Sequence, residues 1–330
     1  CRKGHVNVVQ LLLARIEIHI NQAMQGGGTP LYVACQHGHV DVVQLLLTRK
    51  EIDINQADEV GWTPLLAACK EGHVGVARLL LAKKETRINQ AHEDGFTPLY
   101  AACQNGHVDV VRLLLARKEI QINQAEKNGF TPLLTACDKD RVDVVQLLLA
   151  RKEIQINQAG KKGIAPLYVA CQNGHVGVAR LLLTKRDTQI NQANEDGFTP
   201  LYTACQNGRI DVVRLLLTRK EIQINHVSHG GAGVRQGFTP LIIACAMNNV
   251  NVVEALLTRK EIDINQATEH GFTPLFAACQ NGHIDVVRLL LASEEIDINK
   301  EVHGFTPLQV AQAVGHTEIV ALLQHAHQEL

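Results

Sequence analysis

Residues 97–130, TPLYAACQNGHVDVVRLLLARKEIQINQAEKNGF, decide the fold, because near-copies of this stretch run the length of the chain. The pair Thr-Pro recurs at Thr29, Thr63, Thr97, Thr131, Thr199, Thr239, Thr273 and Thr306, and Ala165 stands in for Thr before Pro166. Successive starts lie 34 residues apart, except for 40 between Thr199 and Thr239 and 33 between Thr273 and Thr306. Residues 1–20 match the second half of the unit, so nine complete starts follow one truncated unit. A fixed period of this length is the signature of a repeat architecture.

One unit can be read from its chemistry. Thr97 suits a helix N-cap and Pro98 the first helical position, where a missing N–H costs nothing. PLYAACQN then forms a short helix that Gly106 breaks. In HVDVVRLLLARK the apolar residues Val108, Val110, Val111, Leu113, Leu114 and Leu115 take most of the circumference and leave Asp109 and Arg112 outward. So wide an apolar face must be covered on several sides, as between stacked neighbours. Asp109 lies near the positive end of that helix and Arg117 and Lys118 near the negative end, each favourable by tenths of a kcal/mol, on the order of the helix-dipole effect. The tail EIQINQAEKNGF alternates and turns at Asn128-Gly129, which suits a hairpin-like loop. A helix pair of this size cannot bury its own apolar surface, so neighbours supply the core.

The stretch DGFTPLYAACQNGHVDVVRLLLARKEIQIN resembles an ankyrin repeat, whose pattern is T-P-L-H-x-A-A-x-x-G-H followed by a second helix and D-V-N. The resemblance covers essentially all 330 residues. It implies an all-α fold, an ankyrin-repeat solenoid of helix-turn-helix units joined by hairpin-like loops. The expected organisation is one array over residues 1–330, with a truncated first unit at 1–27 and a C-terminal capping unit at 305–330. At about 8 to 10 Å per helix layer, ten units would stack to roughly 90 Å. Two departures from the pattern matter. The His after TPL is replaced in every unit, by Tyr32, Leu66, Tyr100, Leu134, Tyr168, Tyr202, Ile242, Phe276 and Gln309, so its bond to the Thr hydroxyl must be absent. The Gly-Ala after the second helix becomes RKEI, one residue longer, so the usual glycine helix cap is missing.

The spacing Cys103-x-x-x-His107, repeated along the chain, raises the question of metal or redox chemistry. All nine cysteines, from Cys1 to Cys279, hold one position in the unit, where the family usually carries Ala and a small apolar thiol fits. Packed helices lie about 8 to 10 Å apart, whereas a disulfide needs Cα atoms within roughly 4.4 to 6.8 Å. The thiols are therefore expected to be unpaired, in a reducing compartment. His39, His73, His107, His175 and His283 begin second helices, and Arg141 and Arg209 replace them in two units. Arg donates hydrogen bonds but does not ligate a metal, so donation is the shared role, with loop carbonyls as the expected acceptors. No G-x-S-x-G, H-E-x-x-H or G-x-x-x-x-G-K occurs. These readings point to no catalytic, metal or cofactor site.

Composition narrows the partners. The chain is 46% hydrophobic and 20% charged with a formal net charge of -1, so no clustered basic surface calls for nucleic acid or an anionic membrane. Apolar runs such as VVQLLL fall far short of the roughly 20 residues that span a bilayer. Neither membrane insertion nor a small-molecule substrate is expected, and an intracellular site, cytoplasmic or nuclear, follows from the cysteines.

Candidate contact residues come from three places. The position before Thr holds Trp62, Phe96, Phe130, Phe198, Phe238, Phe272 and Phe305; in ankyrin repeats it lies at the base of the loop and faces the concave surface that usually binds partners. Aromatics supply contact area at low entropy cost, but each ring could instead pack on the next loop as a structural ladder. Loop tips change from Asp58-Glu59, through His92-Glu93-Asp94, to Lys127 and Lys161-Lys162, and back to Glu195-Asp196. A basic island between acidic tips would match a partner of mixed charge, although charges also vary freely in solvated loops. Gln104 and Asn105, at the end of a first helix, read as an exposed pair on the concave side. HGGAGVRQG, residues 229–237, lengthens one loop by six residues and reads either as a tolerated insertion or as a partner-contacting finger.

The last unit carries Gln309 and Gln312 where others are mostly apolar or Cys, as expected of a capping repeat whose outer side meets water. The start, CRKGHVNVVQ, lacks an initiator Met and most of a first helix, and it reads as a cut end with more protein upstream. The functional expectation is a non-catalytic scaffold or adaptor that binds an unidentified protein. The alternative is a regulatory or targeting arm of a kinase, ubiquitin-ligase subunit or ion channel.

Overall fold

A computed structural model describes residues 1–15, 17–230 and 237–329. The insertion singled out at 229–237 falls, over 231–236, outside the described residues. Among the described residues the regular structure is helical, with an isolated bridge between Val302 and Phe305. The tails that alternate in sequence therefore form turns rather than strands.

Two compact units divide the chain, Cys1–Lys161 and Lys162–Leu330. In the first, a lone helix Val6–Leu13 precedes the pairs Pro30–Gln36 with Val40–Leu46, Pro64–Lys70 with Val74–Leu81, Pro98–Asn105 with Val108–Leu115, and Pro132–Asp138 with Val142–Leu149. In the second, the pairs are Pro166–Asn173 with Val176–Leu183, Pro200–Gln206 with Ile210–Leu217, Pro240–Ala246 with Val250–Leu257, Pro274–Asn281 with Ile284–Leu291, and Pro307–Val314 with Thr317–Glu329. Within each unit every first helix packs on the next first helix, and every second helix on the next second helix.

Thr N-caps mark where the first helices of the pairs start. Thr97 Oγ1 accepts the Tyr100 amide at 3.1 Å, and the threonines that open the other pairs accept the corresponding amide. The Thr hydroxyl is thus engaged although the family's His is absent. Ala165 has no such bond. Behind the caps, Leu99, Ala102, Cys103, Val110, Val111 and Leu114 are fully buried, while Asp109 and Arg112 are exposed.

Three ladders of side chains lock one pair to the next. Asn123 donates through Nδ2 to the Glu153 carbonyl at 2.7 Å, and its Oδ1 accepts the Gln155 amide at 3.0 Å. Asn21, Asn55, Asn89, Asn191, Asn225 and Asn265 make the same two-ended bridge to the pair that follows. The second ladder supplies the cap that the missing glycine leaves open. Arg117 Nη1 reaches back 2.9 Å to the Leu81 carbonyl at the end of the previous second helix, and Arg49, Lys83, Arg151, Arg219 and Arg259 do likewise. Lost carbonyl partners at a helix C-terminus are restored by cations that also suit its negative end.

The third ladder starts each second helix. His107 Nε2 lies 2.8 Å from the Lys70 carbonyl, His73 3.1 Å from that of Gln36, and Arg141 Nε donates to Gln104 at 3.2 Å. Donation to a carbonyl is the role these residues share, and the acceptor belongs to the preceding pair's first helix. Room for the ring comes from glycine. Gly72 has φ +77° and a Cβ there would meet His107 at 2.5 Å.

Two substitutions test these assignments. Ala165→Thr restores the one missing cap and should stabilise the protein by about 1 kcal/mol, read as a higher urea midpoint. Asn123→Ala leaves the Glu153 carbonyl and Gln155 amide without their shared partner and should cost about 1–2 kcal/mol. An unchanged midpoint for either variant contradicts the corresponding assignment.

Candidate interaction surface

The loops between pairs are held by a polar residue at their start. The buried Glu126 carboxylate accepts the amides of Asn128 and Phe130 at 2.9 and 3.0 Å. Asp58 does the same for Val60 and Trp62, and Asn194 for Asp196 and Phe198. Adjacent loops are then stitched by backbone bonds. In the first unit these run from Glu93 N to Val60 O at 3.2 Å, Lys127 N to Asp94 O at 2.8 Å and Lys161 N to Asn128 O at 2.7 Å. In the second they run from Glu195 N to Lys162 O and Gly230 N to Asp196 O, both at 3.0 Å. The tips are consequently fixed in register before any partner arrives.

At those tips Lys127, Lys161, Lys162 and Glu195 are exposed and Asp196 is half-buried. Lys127 Nζ stands 3.5 Å from the Asp94 carboxylate, and Lys161 Nζ 3.5 Å from Asn128 Oδ1. Such exposed contacts contribute roughly 1 kcal/mol at most, so these cations remain available.

The rings before each Thr pack in more than one way, and those from Trp62 to Phe272 are half-buried. Phe96 stacks on Tyr100 and Phe198 on Tyr202, with centroids 5.0 and 4.5 Å apart, each within its own unit of sequence. Trp62 meets His92 of the next loop at 5.0 Å, Phe238 meets Phe272 at 6.3 Å, and Phe130 lies against Gly160. Phe305 is 52% exposed. The rings thus pack both on their own helices and on the following loops.

Gln104 and Asn105 are less alike than the sequence suggests. Asn105 is exposed, and its Nδ2 is tied back to the Ala101 carbonyl at 2.9 Å. Gln104 is half-buried, and its backbone carbonyl receives Arg141. Lys70 escaped the sequence reading; its ammonium lies 4.6 Å from the centre of the Trp62 ring. Only its departure from the Gln found in other units marks it in the sequence.

All the cysteines except Cys1 are shielded from solvent. Eight of the nine free thiols are buried, and burial pushes Cys279 up to about 12 and the rest of the buried set higher. Among the described residues no group of three or more His, Cys, Asp or Glu is placed to hold a metal ion, and no helix is long and apolar enough to cross a membrane. Iodoacetamide at about pH 8, near the ordinary thiol pKa, should therefore alkylate Cys1 alone in the folded protein and every cysteine in concentrated urea. Rapid native modification of Cys103 would contradict the burial.

Stacked helix pairs of one repeated sequence, joined by loops stitched in register, define a repeat protein. The family model for ankyrin repeats (3 copies) matches residues 1–92, 83–159, 152–228, 189–268, 222–302 and 260–330, which together span the chain. The chain belongs to the ankyrin repeat family, whose repeats are general protein–protein interaction modules. A comparison with curated proteins returned no match.

Proposed function

We propose that the chain is a non-catalytic scaffold or adaptor that holds a protein partner on the face formed by its loop tips and first-helix ends, the concave side of an ankyrin array. The observation that carries this reading is a division of roles among residues. Those that recur from unit to unit, the Asn, Arg and His of the three ladders, are engaged with the neighbouring pair. Those that differ between units, such as Glu59, Lys70, Lys127, Lys161 and Glu195, are exposed, at loop tips and at a first-helix end.

A surface held in register by backbone bonds loses little conformational entropy when a partner binds. Variation in sign along the tips gives such a surface selectivity through charge complementarity. A protein is the partner class this supports, in preference to nucleic acid, membrane or a small substrate, and buried reduced thiols suit an intracellular, cytoplasmic setting.

Photocrosslinking tests the face directly. With p-benzoylphenylalanine placed singly at positions 104, 127, 112 and 220, adducts with a partner in cell extract should form from 104 and 127. Position 112, on exposed second-helix surface, and position 220, exposed in the turn that follows a second helix, should give none. Adducts confined to 112 and 220 would refute the assignment.

A further inference from the structure

In a chain of near-copies, residues that break the shared pattern carry what is specific, and several breaks converge in Cys1–Lys161. Trp62, the single tryptophan, stands where most units have Phe. Lys70 replaces the Gln of positions 36 and 104, and His92 occupies the loop start held elsewhere by Asp58 and Glu126. These three meet. The Lys70 ammonium lies 4.6 Å from the Trp62 ring centre, and Trp62 continues into His92, Phe96 and Tyr100 with centroids 5.0, 5.6 and 5.0 Å apart. His92 Nδ1 accepts the Asp94 amide at 3.0 Å, which fixes the ring against which Trp62 rests.

A positive charge on an aromatic face is attracted by the ring's quadrupole. Here the charge is the chain's own, and it is loosely placed. The Lys70 side chain is 48% exposed, and its nearest carboxylate, Glu71, is 3.9 Å away. Glu59 and Glu93 stand exposed at the two loop tips that flank the ring, with Asp58 engaged by the Val60 and Trp62 amides and Asp94 beside Lys127. Beside Glu71 a groove of about 530 Å³, lined also by Arg2, Met24, Val33, Gln36 and His37, leaves room for a peptide next to the charge.

We propose that the Trp62 face is the seat of a basic side chain, an arginine in an extended partner segment, and that Lys70 is its stand-in in the free protein. The inference rests on the reading of this face as the binding surface. On binding, the guanidinium takes the ring and Lys70 turns to Glu71. Arginine is preferred to lysine because its planar group stacks and is the more weakly hydrated. Lys70 is then a competitor, and its loss strengthens binding rather than weakening it.

The single tryptophan makes the test direct, since its emission reports this spot alone. A peptide of four Arg-Gly-Gly triplets should change Trp62 emission saturably, and the same peptide with Gln for Arg should not. Lys70→Gln, which installs the residue found at positions 36 and 104, should bind the arginine peptide about threefold tighter, the size of an exposed cation–π contact. Glu71→Gln should bind it more weakly. An absent emission change, or unchanged or weaker binding by Lys70→Gln, overturns the inference. If photocrosslinks at 104 and 127 form while the arginine peptide leaves Trp62 unaffected, the interaction face stands and this inference alone fails. If the peptide binds as expected while those crosslinks do not form, the wider reading is the one that fails.

Discussion

The bridge made by each Asn side chain is the contact on which the structure depends. As at Asn123, one amide group joins its own tail to that of the next pair, giving its N–H to a carbonyl and accepting the amide proton two residues further on. A helix of seven or eight residues is too short to persist alone in water, and a lone pair cannot cover the apolar girdle of its second helix. Stacking covers that girdle, and the Asn, Arg and His ladders fix its register. Each ladder joins residues about one repeat apart, so the fold is built from sequence-local contacts.

This constraint separates what must recur from what can change. Within each unit, side chains facing the next pair are held by packing and hydrogen bonds, down to the glycine whose missing Cβ admits the following His ring. Loop tips and first-helix ends face no neighbour in this way. They are nonetheless held in register, because the loops are stitched through their backbones. Variable chemistry on an invariant frame is what a binding surface requires.

Much of this is legible in the sequence. The 34-residue period, the Thr-Pro caps and the glycine that ends many of the first helices follow from local chemistry, and substitution of His by Arg at 141 and 209 identifies donation as the shared role. The missing glycine after each second helix is legible as a gap, but its replacement is not. Arg117 fills it from the next repeat, through a contact that no local rule contains. The Asn ladder leaves a signal, an Asn closing each tail as in EIQIN, that reads equally well as a turn residue. The convergence of Lys70, Trp62 and His92 is invisible there, because Trp62 and His92 belong to two different loops whose register only stacking sets. Why one surface position holds Asp138 and its counterpart holds Gln172 has no account in the structure.

Neighbours, and not the helices themselves, hold each helix pair folded. The far-ultraviolet circular dichroism of a synthetic peptide spanning residues 97–130 tests it most directly. The spectrum should be that of an unfolded chain, with only marginal helix, as expected for segments this short. A helical spectrum with a cooperative thermal transition in the monomeric peptide would contradict it.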